Sequence, residues 1–165
     1  MKKISLFMAA VFLLAGLGGS LPAEIFKNTA GGVSIWLPDG WEIDSDEQES
    51  ALYADALEGD AFCVLQVLVE KNDLGAALNT YRAALTEEMD TFSVTREARQ
   101  SQLNGMAASL IRGEGLRDEK TWSVDVLLIT TAKAVLMCTI GWEKDKEVEF
   151  APLRDKIFPS IKKLD

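Results

Sequence analysis

The chain has 165 residues, a formal net charge of −9, 48% hydrophobic residues, two cysteines and no histidine. That composition describes a globular chain, neither disordered nor fibrous. The missing imidazole excludes Ser-His-Asp triads, Cys-His pairs and His-ligated zinc.

The N-terminus reads Met1-Lys2-Lys3 and continues into residues 4–17, an apolar run broken only by Ser5 and Gly16. Gly18-Gly19-Ser20-Leu21-Pro22-Ala23 follows. A charged start, a short apolar stretch and small residues are the pattern of a secretory signal peptide, too short for a membrane span. Residues 1–23 are therefore expected to be a signal peptide, cleaved after Ser20 or Ala23. Residues 24–165 are expected to form a single exported domain, periplasmic or secreted. Cleavage after Ala23 removes Lys2, Lys3 and no acid, leaving 142 residues with a net charge of −11. Such a surface repels nucleic acid and anionic lipid, so neither nucleic-acid binding nor stable membrane insertion is expected.

In residues 25–37 the alternation Val33-Ser34-Ile35-Trp36-Leu37 predicts a strand with Val33, Ile35 and Leu37 on one face. Pro38-Asp39-Gly40 predicts a turn before Trp41 and a second short strand. Residues 42–50 carry five acids and are expected to be a surface loop. Residues 51–58 and 61–70 flank the turn pair Gly59-Asp60. The second run is apolar on both faces, which predicts a hairpin leading into a central strand. Asn72 or Asp73 should cap a helix whose apolar residues fall at Leu74, Ala77, Leu78, Tyr81, Leu85 and Met89.

From Phe92 the period becomes two. Strands are predicted over 93–103 and 106–116, joined by Asn104-Gly105 in a type I′ turn. Two more are predicted over 121–130 and 133–142, with Leu136, Cys138, Ile140 and Trp142 sharing one face. A closing helix is expected over 147–157 and then a kink, because Pro159 removes a donor and disfavours helix at Phe158. The sum is an α+β fold: an α/β/α sandwich with a mostly antiparallel sheet, one long amphipathic helix after the first hairpins and a short C-terminal helix.

The element order, the opening Val33-Ser34-Ile35-Trp36-Leu37-Pro38-Asp39-Gly40-Trp41, the Leu103-Asn104-Gly105 hairpin and the closing helix together resemble the Mog1/PsbP/DcrB-like superfamily. The resemblance implies a sandwich used for binding and assembly, in proteins ranging from a Ran-binding nuclear factor to a photosystem extrinsic subunit and periplasmic bacterial proteins. The sequence departs from the lipoprotein members because no Cys ends its apolar run. No functional residue carries over.

Cys63 and Cys138 are a candidate disulfide in an exported protein; it would close a loop of 75 residues, worth about 4 kcal/mol on the chain-entropy model. Two buried thiols are the alternative, since each sits in an apolar run. Trp36 and Trp41 flank one turn and are a candidate partner or ligand surface, whose sign would be exposed rings; aromatic side chains otherwise fill cores. The acidic run 44–49 lacks the EF-hand pattern, with Asp55 at the twelfth position, so no metal and no cofactor is expected. Asp125, Glu114 and Asp118 show no spacing that singles out a catalytic pair. The leading expectation is a non-enzymatic exported protein that binds another envelope protein or supports its assembly. A carrier for a small apolar ligand held between sheet and helix, lined by Trp and Met, is the alternative, and a carboxylate-based hydrolase the third.

Overall fold

The computed structural model describes residues 24–45, 51–56, 58–70, 72–86 and 88–164. The proposed signal peptide, its cleavage sites and residues 46–50 of the acidic run lie outside the described residues.

Ten strands and two helices follow one another as β1 (Glu24–Asn28), β2 (Val33–Leu37), β3 (Glu42–Ser45), β4 (Ala51–Asp55), β5 (Ala61–Val69), α1 (Leu74–Leu85), β6 (Thr91–Leu103), β7 (Met106–Arg117), β8 (Lys120–Thr130), β9 (Val135–Glu143), α2 (Glu147–Ser160) and β10 (Lys162–Lys163). A seven-stranded sheet has the order β3-β4-β5-β9-β8-β7-β6, and a three-stranded sheet the order β1-β2-β10. Every pairing is antiparallel.

Three layers result, because the large sheet is apolar on both faces and each face needs a cover. One face packs Phe62, Val64, Ile111, Val124, Val126, Leu128 and Met137 under Ala77, Tyr81 and Leu85 of α1. The other packs Cys63, Leu65, Leu127, Ile129, Leu136, Cys138, Ile140 and Trp142 under β2 and α2, whose Val33, Ile35, Leu37, Phe150 and Ile157 point inward. The predicted shared face of Leu136, Cys138, Ile140 and Trp142 is therefore the face beneath α2. The fold is α+β with antiparallel sheets, as the sequence predicts.

Local chemistry explains most of the boundaries. Asp73 caps α1, its carboxylate accepting from the Ala76 amide at 2.9 Å. Asn104 (φ 48°) and Gly105 (φ 76°) make the left-handed turn of the β6–β7 hairpin. Asp118 and Glu119 do the same for β7–β8, at φ 52° and 63°.

Three expectations are corrected. Residues 42–45 form edge strand β3, not loop: they pair in register with Asp55 to Leu52, and Ile43 packs against the core. Strand β9 starts at Val135, not residue 133, because the Thr131 hydroxyl accepts from the Lys133 and Ala134 amides in a tight turn. The C-terminal helix runs to Ser160 without stopping at residue 157, and at 14 residues it is longer than α1 with 12. Both Pro152 and Pro159 lie inside it. Its last turn is held from outside: the Asn104 amide donates to the carbonyls of Pro159 (3.0 Å) and Ile161 (2.6 Å), and the Ser160 hydroxyl donates to the Ile157 carbonyl (2.6 Å). These bonds satisfy carbonyls that the end of a helix otherwise leaves without partners.

Gly141 shows how tightly the α1 face is closed. Phe62 is its cross-strand partner and lies over it, so a Cβ at 141 would sit 2.3 Å from the Phe62 ring. The expected cost of G141A is about 2 kcal/mol of unfolding free energy, the scale of overpacking in a filled core. In the F62A background the same substitution should cost clearly less, a coupling that urea denaturation of the two single variants and the double variant would read.

Candidate functional site

The two tryptophans singled out in the sequence stand at one end of the small sheet. In β2, Val33, Ile35 and Leu37 are fully buried while Ser34 and Trp36 alternate onto the opposite, outer face. The Trp36 amide donates to the Ser160 hydroxyl at 2.9 Å, tying β2 to the end of α2. In register, Trp36 is opposed by Ile25 of β1, an isoleucine left 70% exposed. Trp41 follows Gly40, which takes the left-handed φ of 79° that the turn requires. Trp36 and Trp41 are both half-buried against the core, so neither ring is lost from the surface.

Beside this face a cleft of about 270 Å³ opens between the two sheets, lined by Ile25, Phe26, Lys27, Asn28 and Ile35 on one side and Ala51, Leu52 and Leu65 on the other, so that a lysine and an asparagine stand among its apolar side chains. Strand β1 forms its rim and is an edge strand, with β2 its neighbour among the described residues. The small sheet thus carries exposed Ile25 opposed to half-buried Trp36 at its edge and a mostly aliphatic cleft beneath it, the features that addition of an extended segment to an edge strand uses. The cleft lies between sheets and contains no Trp or Met, so it differs from the expected pocket between sheet and helix. The space under α1 is filled by the side chains named above.

Cys63 and Cys138 meet inside the core beneath β2 and α2. Their sulfurs are 4.0 Å apart, both residues are fully buried, and both are free thiols. The hydrogen bond with Cys63, reinforced by burial, holds the Cys138 thiol well above its ordinary pKa. A thiol so placed is no nucleophile.

The sequence analysis missed an ionic cluster under α2. Asp125 is buried on the β8 face that carries Leu127 and Ile129, and Arg154 of α2 donates to it at 2.9 Å while Arg112 of β7 approaches to 3.3 Å. Arg154 lies over the Trp142 ring, whose indole N–H donates to Glu147 at 2.7 Å. A charged residue between Val124 and Val126 was the available signal, since a carboxylate at an inward position needs a cation. A second cation, Arg117, stacks over Phe62 and Trp122 where the α1 face ends.

These partners bear directly on catalysis. Asp125 is held by two arginines, Glu114 by Lys144 at 2.7 Å and Glu147 by the indole of Trp142. Asp118 sits in a turn. Among the described residues no group of three or more cysteines or acids is arranged to hold a metal ion, and no helix is long and apolar enough to cross a membrane.

Comparison with solved structures identifies the fold. The solution structure of cyanobacterial PsbP, CyanoP, from Synechocystis superposes with a TM-score of 0.64 at 13% identity, covering 90% of this chain and 97% of that one. PA94, a Pseudomonas aeruginosa protein of unknown function, gives 0.51 at 14% identity, covering 81% and 92%. LpqN, involved in cell envelope biogenesis of Mycobacterium tuberculosis, gives 0.50 at 12% identity, covering 87% and 86%. The chain shares the fold of these proteins, and a PsbP-type fold is what the sequence resemblance implied. No family model and no curated protein matches the sequence.

Two predictions follow from the contacts of α2. Burial, outweighing Arg112 and Arg154, raises the Asp125 pKa above its ordinary 3.8. A raised carboxylate pKa means that Asp125 favours the folded state most below pH 3.8, and that this contribution is lost as pH rises through the folded-state value. The stability of the wild type relative to D125N should therefore fall as pH rises from below 3.8, measured by denaturant unfolding at each pH. A difference that grows with pH would mean that the arginines win. Separately, N104G keeps the left-handed turn but removes the two bonds to the end of α2, and should lower stability by about 1–2 kcal/mol in the same assay.

Proposed function

We propose that this protein acts without catalysis in the cell envelope, binding another envelope protein through the outer face of the three-stranded sheet. Residues 1–23 direct export in this reading, and the folded chain works as a periplasmic or secreted protein. The observation that carries it is the opposition of exposed Ile25 and half-buried Trp36 on an edge-strand face, beside a mostly aliphatic cleft. A large exposed aliphatic opposed to a tryptophan is the composition of an interface anchor. The bound segment would be extended and apolar, pairing its backbone with β1 and placing a side chain toward Phe26 and Leu52.

Two further facts support the reading. LpqN, which shares the fold, is involved in cell envelope biogenesis. Asp125, Glu114 and Glu147 are each held by a cation or an indole, so none of these three is a free partner for the acid–base pair that the hydrolase reading needs. The carrier reading has a cavity of about 350 Å³ beside Gly31, Gly32, Lys133 and Leu164 as well as the cleft of about 270 Å³, but neither has the Trp and Met lining between sheet and helix that this reading expects.

A photo-crosslinking residue placed at position 25 should give one discrete protein adduct in living cells. The same residue at position 148, where Val148 is 91% exposed on the first turn of α2, should not. Trp41 and Trp36 would bracket the footprint, so W36A should weaken the adduct at 25. Equal labelling at 25 and 148, or none at 25, would sink the proposal.

A further inference from the structure

The chain contains two cysteines, and the fold brings them to one point. Cys63 lies opposite Ile140 in the β5–β9 pairing, and Cys138 lies opposite Leu65. The two cysteines are therefore diagonal neighbours on the same face of adjacent strands, and their sulfurs are in van der Waals contact at 4.0 Å. Each thiol has the other as its hydrogen-bonding partner. A disulfide needs its sulfurs at about 2.05 Å, so about 2 Å must be closed, and because diagonal neighbours stand roughly 7–8 Å apart at Cα the closure takes a small shift of β5 against β9 as well as side-chain rotation. With no third cysteine, no competing pairing exists within the chain.

We propose that Cys63 and Cys138 are joined by an intramolecular disulfide when the chain folds in an oxidising compartment, tying β5 to β9 at the centre of the large sheet. The in-cell part rests on the export proposed above; the pairing itself does not. The bond has to form before the core closes, because both sulfurs are fully buried in the folded chain, out of reach of an external oxidant. One cysteine thiolate attacks the disulfide of a thiol–disulfide oxidoreductase, forming a mixed disulfide and releasing one of its thiolates. The second cysteine thiolate then attacks the first cysteine's sulfur and releases the other. Two electrons and two protons leave the pair, and the donor becomes a dithiol.

The test uses the full-length exported protein and chain refolded from denaturant. Refolding the reduced, unfolded protein in a mixture of reduced and oxidised glutathione should give a monomer lighter by two hydrogens. Under denaturing conditions it should take up no alkylating reagent before reduction and two equivalents after it. Reduced protein already folded should resist both alkylation and oxidation over the same time. Oxidised protein should melt at higher temperature than reduced protein, and a reductant should leave the melting of C63A/C138A unchanged. Two alkylated thiols, glutathione adducts or crosslinked dimers after refolding would overturn the pairing. If refolding yields the bond but protein taken directly from cells carries free thiols, the failure belongs to the exported location and the in-cell half of the proposal falls.

Discussion

The structure depends on strand β9 being buried on both faces. It lies between β5 and β8 in the large sheet, with α1 over one face and α2 with the small sheet over the other, and eight of its nine residues are buried. A strand in that position cannot alternate apolar and polar. It carries Leu136, Cys138, Ile140 and Trp142 toward α2, and Val135, Met137, Thr139 and Gly141 toward α1. Gly141 is small because Phe62 needs the space above it, and Phe62 in turn stacks on Trp122 at 5.5 Å. Each fully buried Leu, Ile or Met on such a strand contributes roughly 1.5–3 kcal/mol, so β9 and its neighbours supply much of the drive to assemble both layers.

The two layers are held in different ways. Helix α1 presents a regular apolar stripe and is fixed mainly by burial. Helix α2 is less regular, with two prolines inside it, and is fixed as much by polar contacts. Arg154 reaches Asp125, Glu147 receives the Trp142 indole, and Asn104 and Ser160 satisfy the last turn. Buried charge of this kind contributes little net stability but fixes one placement over others. Here it fixes the middle of α2 over β8, while Asn104 and Ser160 hold its last turn, to which the Trp36 amide is bonded. The position of the small sheet, and so the aspect of Ile25 and Trp36, follows from these contacts.

Much of this architecture is legible in the sequence because periodicity reports burial. Val33, Ile35 and Leu37 alternate and are all inward; the heptad-like spacing from Leu74 to Leu85 is a helix; Asn104-Gly105 is a hairpin. The errors arise where a distant group overrides local preference. Pro159 is expected to end the helix before it, but α2 runs on to Ser160, and its last carbonyls are met by Asn104, 55 residues earlier in the chain. The acids of residues 42–45 look like loop, yet an edge strand tolerates acids on its open side. The candidate site was half legible. Trp36 and Trp41 stand out as aromatic residues flanking a turn, but Ile25 carries no local mark; its exposure comes only from its register with Trp36.

The sequence alone determined the class of fold, the central apolar strands, the first helix with its Asp73 cap, and the absence of any imidazole chemistry. These are consequences of spacing and composition, which local physics translates directly into buried faces and available side-chain groups. The tertiary structure decided the matters that depend on residues far apart in the chain. It brought Cys63 and Cys138 into contact across 75 residues, gave Asp125 its arginines, carried α2 through Pro159, and opened a mostly aliphatic cleft between two sheets whose strands are each unremarkable in sequence. Such features exist only once the layers have packed, because their energies are those of surfaces that the unfolded chain does not yet possess.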